Sequence, residues 1–171
     1  FRVYKRELNG INIDANQNVG DKFNFVRPED TNICAVISDE GGEEKFYLFE
    51  ERPAVSTIDP EHANEHGKGG SADLRNVKTK PLKKILKKCN IPEEIHFMDV
   101  DVEGKSMEAV RSMDFYKYRP WVICIEIHNL DISENLNNNK VVKYLESKGY
   151  SLVGYSICNG YFVDKDAPIS G

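Results

Sequence analysis

Long apolar stretches are missing from this sequence. No unbroken apolar run exceeds five residues, as in residues 121–125, whereas a helix that crosses a bilayer needs roughly 18–20. No segment is therefore expected to span a membrane. The opening Phe1-Arg-Val-Tyr-Lys-Arg-Glu7 has neither an apolar h-region nor a small-residue cleavage site, so no secretory signal is read there. Basic charge is in deficit as well. With 23 Lys and Arg against 28 Asp and Glu the net charge is −5, the wrong sign for a surface that gathers phosphate backbone, and nucleic acid is not expected as a partner. The four cysteines, Cys34, Cys89, Cys124 and Cys158, form no CxxC pair. Cys34 and Cys124 stand within apolar runs and are expected to be reduced and buried, which suits a cytoplasmic setting. No GxSxG elbow, HExxH pair or Walker spacing occurs, so serine hydrolysis, zinc proteolysis and P-loop chemistry have no support. His62 and His66, four apart in His-Ala-Asn-Glu-His, are read as surface histidines, and Gly67-Lys-Gly-Gly70, which no apolar strand precedes, as a loop.

What is present is an ordinary globular composition. The apolar fraction of 40% reaches the roughly 45–50% of folded domains once the 12 glycines are counted. A length of 171 residues suits one domain, residues 1–171, with a sizeable core. Short β-branched runs at 11–13, 33–37, 95–98 and 122–127 alternate with longer polar or amphipathic stretches. This is the rhythm of βαβ units, so the predicted class is α/β, a Rossmann-like, mostly parallel sheet with helices on both faces. The last two runs are nearly continuous in apolar character and are expected to be central strands.

Leu82, Ile85, Leu86 and Cys89 recur at helical spacing opposite Lys83, Lys84, Lys87 and Lys88, predicting a helix capped by Thr79 and stopped by Asn90 and Pro92. Met107, Val110 and Met113 mark a second helix, and Val141, Tyr144 and Leu145 a third, closed by Gly149. Asn159-Gly160, between apolar residues 151–156 and 161–163, predicts a C-terminal antiparallel hairpin. A second hairpin is expected to join 33–37 to 45–49 through residues 39–42, and residues 135–139 read as a polar loop.

Ligands in an open parallel sheet bind beyond the carboxyl ends of its strands. The first run ends at Asp14, the second at Ser38 and Asp39, the third at Asp99, Asp101 and Glu103, and the fourth at Glu126 and His128. Each strand thus delivers an acid to one rim. At the end of a second Rossmann strand, Asp14 can accept both ribose hydroxyls of an adenosine cofactor, which places the partnering glycine-rich turn before Phe1. Asp99, Asp101 and Glu103 alternate and are expected to share a face. Such acids can orient a hydroxyl, raise one another's pKa toward general-base duty, or hold a divalent cation. For the last, Asp99, Asp101 and Glu126 are the expected oxygen ligands, with activity lost to EDTA and restored by magnesium. The alternative for Glu103 is to cap the following helix.

Gly10-Ile-Asn-Ile-Asp14-Ala-Asn16, Cys34-Ala-Val-Ile-Ser-Asp39, Ser56-Thr57, Asp99-Val-Asp-Val-Glu-Gly104 and Arg119-Pro-Trp-Val-Ile-Cys-Ile-Glu-Ile127, in this order and spacing, resemble the FkbM-type methyltransferases. The resemblance implies a class I fold that uses S-adenosylmethionine to methylate a hydroxyl on a sugar or secondary metabolite. It implies that Asp14 holds the cofactor ribose, that Ser38 and Asp39 lie near adenine, and that Asn16 and Asp99 belong to the cofactor side. Asp101 and Glu103 would face the reacting methyl group, with His128 and Glu126 beside them. The family's first strand and glycine loop would precede Gly10, and that strand would lie between those of Ile11 and Ile95, so two strand edges are expected to be left open and cofactor binding by this chain to be weak. Micromolar affinity in an isothermal titration would contradict that expectation. The rival reading is a catalytically silent Rossmann-like binding domain. The expected partner is a small molecule or glycan, and oligomeric state is left open.

Overall fold

A computed structural model describes residues 9–52, 55–66, 71–128, 130 and 138–168. The order is β1 (Ile11–Asp14), α1 (Gln17–Val26), β2 (Thr31–Cys34), β3 (Val36–Ile37), β4 (Gly42–Leu48), α2 (Pro60–His66), β5 (Asp73–Lys80), α3 (Leu82–Lys88), β6 (Glu94–Val100), α4 (Ser106–Arg111), β7 (Arg119–Glu126), α5 (Lys140–Ser147), β8 (Tyr150–Ser156) and β9 (Asn159–Asp164). The α/β class holds, but the strands are not mostly parallel. They form three separate sheets among the described residues, ordered β1-β2, β3-β5-β4 and β6-β7-β9-β8. Parallel ladders join β1 to β2, β3 to β5 and β6 to β7, while β4–β5, β7–β9 and β8–β9 are antiparallel.

The main core gathers around β7. Ile123 and Ile125 are fully buried against Val110 of α4, Val142 and Leu145 of α5 and Phe162 of β9. β7 is internal, as its apolar run predicts. β6 is not: it forms the edge of its sheet, and Phe97 is 57% exposed. Among the described residues β1 pairs with β2 alone and β6 with β7 alone.

Four local features differ from expectation. The turn at 39–42 does not make a β-hairpin, because β5 inserts between β3 and β4. Thr79 lies in β5 and accepts from Ser38 Oγ; the residue before α3 is Pro81, and the Leu82 amide is held instead by Ser112 Oγ at 2.9 Å. The C-terminal pair is antiparallel as expected, but its turn is Ile157-Cys158, since Asn159 already pairs with Ser156. Asn90 does end α3, with φ of 52°, and Gly149 follows α5 with φ of 90°, where glycine avoids the cost of left-handed backbone. Asn139, expected in a polar loop, caps α5 by accepting from Val141 and Val142. Cys124 is buried, but Cys34 is exposed, because it ends an edge strand of the small β1-β2 sheet. No helix among the described residues is long and apolar enough to cross a membrane.

Ile157 holds φ of 61° while 93% exposed, so a β-branched residue bears left-handed strain with almost no packing in return. Ile157→Asn is expected to stabilise the fold by about 1 kcal/mol, raising the thermal midpoint by roughly 2–4 °C. Scanning calorimetry checks this.

Arg119, from the Arg-Pro-x-Val-Ile element, has a structural role. Its guanidinium forks onto Asp164, with Nε donating to Oδ2 at 2.9 Å, donates to the Lys148 carbonyl, and lies over the Tyr150 ring. Burial raises the Asp164 carboxyl, but the Arg119 hydrogen bonds outweigh it and hold the group below its usual range. The stability it contributes is full above the ordinary aspartate value and is lost as pH falls through the lower folded value. Asp164→Ala is expected to cost about 2–3 kcal/mol at pH 7, less than a fully buried pair because Arg119 is a third exposed. The difference from wild type should shrink on acidification, which urea melts between pH 7 and pH 3 measure.

Candidate functional site

The parallel pairing of β6 with β7 sets Val100 opposite Ile125, so Asp101 and Glu126 emerge side by side at the carboxyl rim. β6 stops at Val100, and the chain then turns through two left-handed residues, Glu103 with φ of 47° and Gly104 with φ of 90°. A non-glycine residue in this region carries strain and needs its surroundings to hold it. Thr57 Oγ1 does so by donating to the Glu103 carbonyl at 2.7 Å. Glu103 therefore does not continue the strand alternation. Nor does it cap the next helix, where Lys105 occupies the N-cap position.

The Glu103 carboxylate faces His62, with Nε2 2.8 Å from Oε2. His62, expected on the surface, is only 7% exposed. It lies on α2, whose first amides are held by Asp59: Oδ1 accepts from Glu61 at 2.9 Å and from His62 at 3.3 Å. Lys105 Nζ reaches Asp59 at 3.4 Å and Glu108 at 3.3 Å, tying α2 to α4. Gly104 makes the approach possible, because a Cβ there would lie 3.3 Å from the His62 Cβ. The side chain of His66 and the 67–70 glycine segment lie outside the described residues.

Glu126 completes the cluster. Its Oε1 lies 3.0 Å from His128 Nε2, while Oε2 is buried with no hydrogen-bond partner among the described residues. Carboxylate oxygens of Asp101, Glu103 and Glu126 lie within 4.8 Å of one another, and the His62 and His128 rings are 6.4 Å apart. Burial first, then the neighbouring Asp101 charge, pushes the Glu126 carboxyl above its usual range, with His128 opposing. Of the acids that sequence placed at this rim, Asp101, Glu103 and Glu126 converge. Asp99 sits a step back, opposite Cys124, whose thiol is pushed up to about 11 by burial and by that carboxylate. The three acids whose oxygens lie within 4.8 Å of one another are therefore Asp101, Glu103 and Glu126, not the expected Asp99, Asp101 and Glu126.

A cavity of about 230 Å³ opens beside the cluster, lined by Ile13, Asp14, Val36, Phe46, Asp101 and Glu103 among others. It brings the ends of β1 and β6 together although no ladder joins them. Asp14 Oδ1 accepts from the Asn16 amide at 2.7 Å, and Asn16 itself is buried as the N-cap of α1, accepting from Asn18. Ser38 is buried and engaged, donating to Thr79 Oγ1 and accepting from the Gly41 amide. With Asp39 it lines a neighbouring cavity of about 250 Å³, which shares Ile58 and Lys105 with the first. The side chains missed from sequence are thus His62, Asp59 and Lys105. The only sequence signal for them is Asp59-Pro60 as a helix start.

The sequence model of the methyltransferase FkbM domain matches residues 1–152 of this chain. No curated protein and no solved structure matches it.

Proposed function

We propose that this chain, which belongs to the FkbM methyltransferase family, uses S-adenosylmethionine to methylate a hydroxyl group on a sugar or secondary metabolite. The observation that carries the reading is the contiguity of the two halves of the site. The cavity that begins at Asp14 ends at Asp101 and Glu103, where the carboxylates and two histidines converge.

The residues fit the nucleoside part of the cofactor. Ile13, Val36 and Phe46 offer apolar surface to a purine, and the Asp14 carboxylate offers charge-assisted acceptance to ribose hydroxyls. When bound, the cofactor would supply a methyl group on a sulfonium sulfur, the carbon–sulfur bond breaking and a neutral thioether leaving as the acceptor oxygen bonds to carbon in line. The protein's part is to position the acceptor and manage its proton. Asp101 and Glu103 orient the acceptor by accepting hydrogen bonds from its neighbouring hydroxyls, which leaves the proton of the reacting hydroxyl to His128. His128, exposed at the rim and oriented by Glu126, takes the proton as the oxygen–carbon bond forms. His62 holds the Glu103 carboxylate in place from the buried side.

Transfer of a labelled methyl group from S-adenosylmethionine to a panel of sugars and polyhydroxylated metabolites tests the reading. A base-stable methyl ether is the expected product. A base-labile ester, an N-methyl product or no transfer would overturn it, the last in favour of a silent binding domain.

A further inference from the structure

We propose that Asp101, Glu103 and Glu126 together bind one divalent, oxygen-seeking cation of the magnesium or manganese type. The role of that cation, to take the acceptor hydroxyl oxygen as a further ligand and polarise it, rests on the methyl-transfer reading; the cation site itself does not.

Two independent observations point to a ligand. The first is spacing. Carboxylate oxygens from the three acids lie within 4.8 Å of one another, against a limit of about 4.2 Å for two oxygens on one magnesium ion and about 5.2 Å on one calcium ion, so small side-chain rotations of a few tenths of an ångström bring all three onto the smaller ion. One cation therefore reaches all three without rearrangement of the backbone. The second is the state of Glu126. Its side chain is only 10% exposed, Oε1 is held by His128, and Oε2 is buried with no hydrogen-bond partner among the described residues. A buried carboxylate oxygen left bare costs free energy that a bound cation recovers.

Charge balance agrees. Among the described residues, His62 faces Glu103 and His128 faces Glu126. Lys105, which lines the adjoining cavity, is engaged by Asp59 and Glu108. These three carboxylates outnumber the two imidazoles even with both rings protonated. The histidines contact carboxylates at 2.8 and 3.0 Å, an arrangement in which outer groups orient the ligands. An all-carboxylate donor set selects magnesium, manganese or calcium over zinc or copper. Three protein ligands leave positions of a six-coordinate ion for water and one hydroxyl oxygen.

The test is a titration of the full chain with Mn²⁺, without cofactor or acceptor, following free Mn²⁺ by electron paramagnetic resonance. Wild type is expected to bind one ion with Kd on the order of 10⁻⁴ M, competed by Mg²⁺. Asp101→Asn, at an exposed position that spares the fold, and Glu126→Gln should each weaken binding by at least about 10-fold, and His128→Gln by a similar factor through the outer shell. Asp73→Asn on β5 should leave it unchanged. Thermal melts confirm that each variant is folded. Wild-type binding no tighter than that of the Asp101→Asn variant, or equal loss in the Asp73→Asn control, would overturn the site. Because no methyl donor is present, a negative result removes the cation and leaves the label-transfer experiment to judge the methyltransferase reading separately.

Discussion

Glu126→Gln is expected to lower kcat for methyl transfer by about 100- to 10,000-fold, the range attributed to proton management at a reacting oxygen. The change is isosteric, so the packing of the end of β7 is kept. What is lost is the negative charge that orients His128 at 3.0 Å and abuts Asp101 and Glu103. The KM for S-adenosylmethionine should change little, because Glu126 does not line the cavity of Asp14. Folding stability should be unchanged or higher, since three carboxylates crowded together with a buried bare oxygen strain the native state. Lost activity with gained stability is the signature of a residue kept for chemistry. Steady-state kinetics with a thermal melt of the same preparation measures both. A drop of less than about 5-fold would remove Glu126 from the account, since proton transfer ordinarily contributes more.

Asp14→Ala is expected to raise the Kd for S-adenosylmethionine by about 10- to 150-fold, equivalent to the roughly 1.5–3 kcal/mol of hydrogen bonds to a charged group. Turnover at saturating cofactor should stay within about twofold, because uniform binding is lost and no interaction made only in the transition state is removed. Asp14 also accepts from the Asn16 amide, so Asp14→Asn, which keeps that acceptor, should recover part of the affinity. Asn16→Ala separates structure from binding. Its side chain is spent on capping α1, and its loss should cost about 1 kcal/mol of stability with little change in affinity. Isothermal titration of the three variants distinguishes these outcomes.

The reading of this fold from sequence succeeded where apolar character ends abruptly. Val100 and Ile125 are buried beside their parallel partners, and Asp101 and Glu126 follow them directly onto the rim. Helical spacing likewise gave most of the buried faces of α3 and α5, whereas in α4 it gave Val110 but missed Ala109, with Met107 half-buried and Met113 beyond the helix end. What was not legible depends on backbone hydrogen bonding or on distant packing. β5 is exposed along nearly its whole length and is held by its ladder to β4, so its sequence Asp-Leu-Arg-Asn-Val-Lys-Thr-Lys shows no buried alternation. Its insertion between β3 and β4 therefore left no local trace. The left-handed turn at Glu103 follows from the Thr57 clamp and the room left by Gly104, two features from separate parts of the chain. His62 sits in a helix of seven residues, too short for a convincing apolar face, and is buried only because that helix docks against Gly104 and Lys105.

The central claim is that Asp14 and the cluster of Asp101, Glu103 and Glu126 are two ends of one ligand site. The most direct measurement is a crystal structure of the chain soaked at millimolar S-adenosylhomocysteine. The account predicts ribose hydroxyls within hydrogen-bond distance of the Asp14 carboxylate and the sulfur atom directed toward Asp101 and Glu103. A nucleoside bound elsewhere on the chain, or one at Asp14 with its sulfur turned away from the three acids, would contradict it.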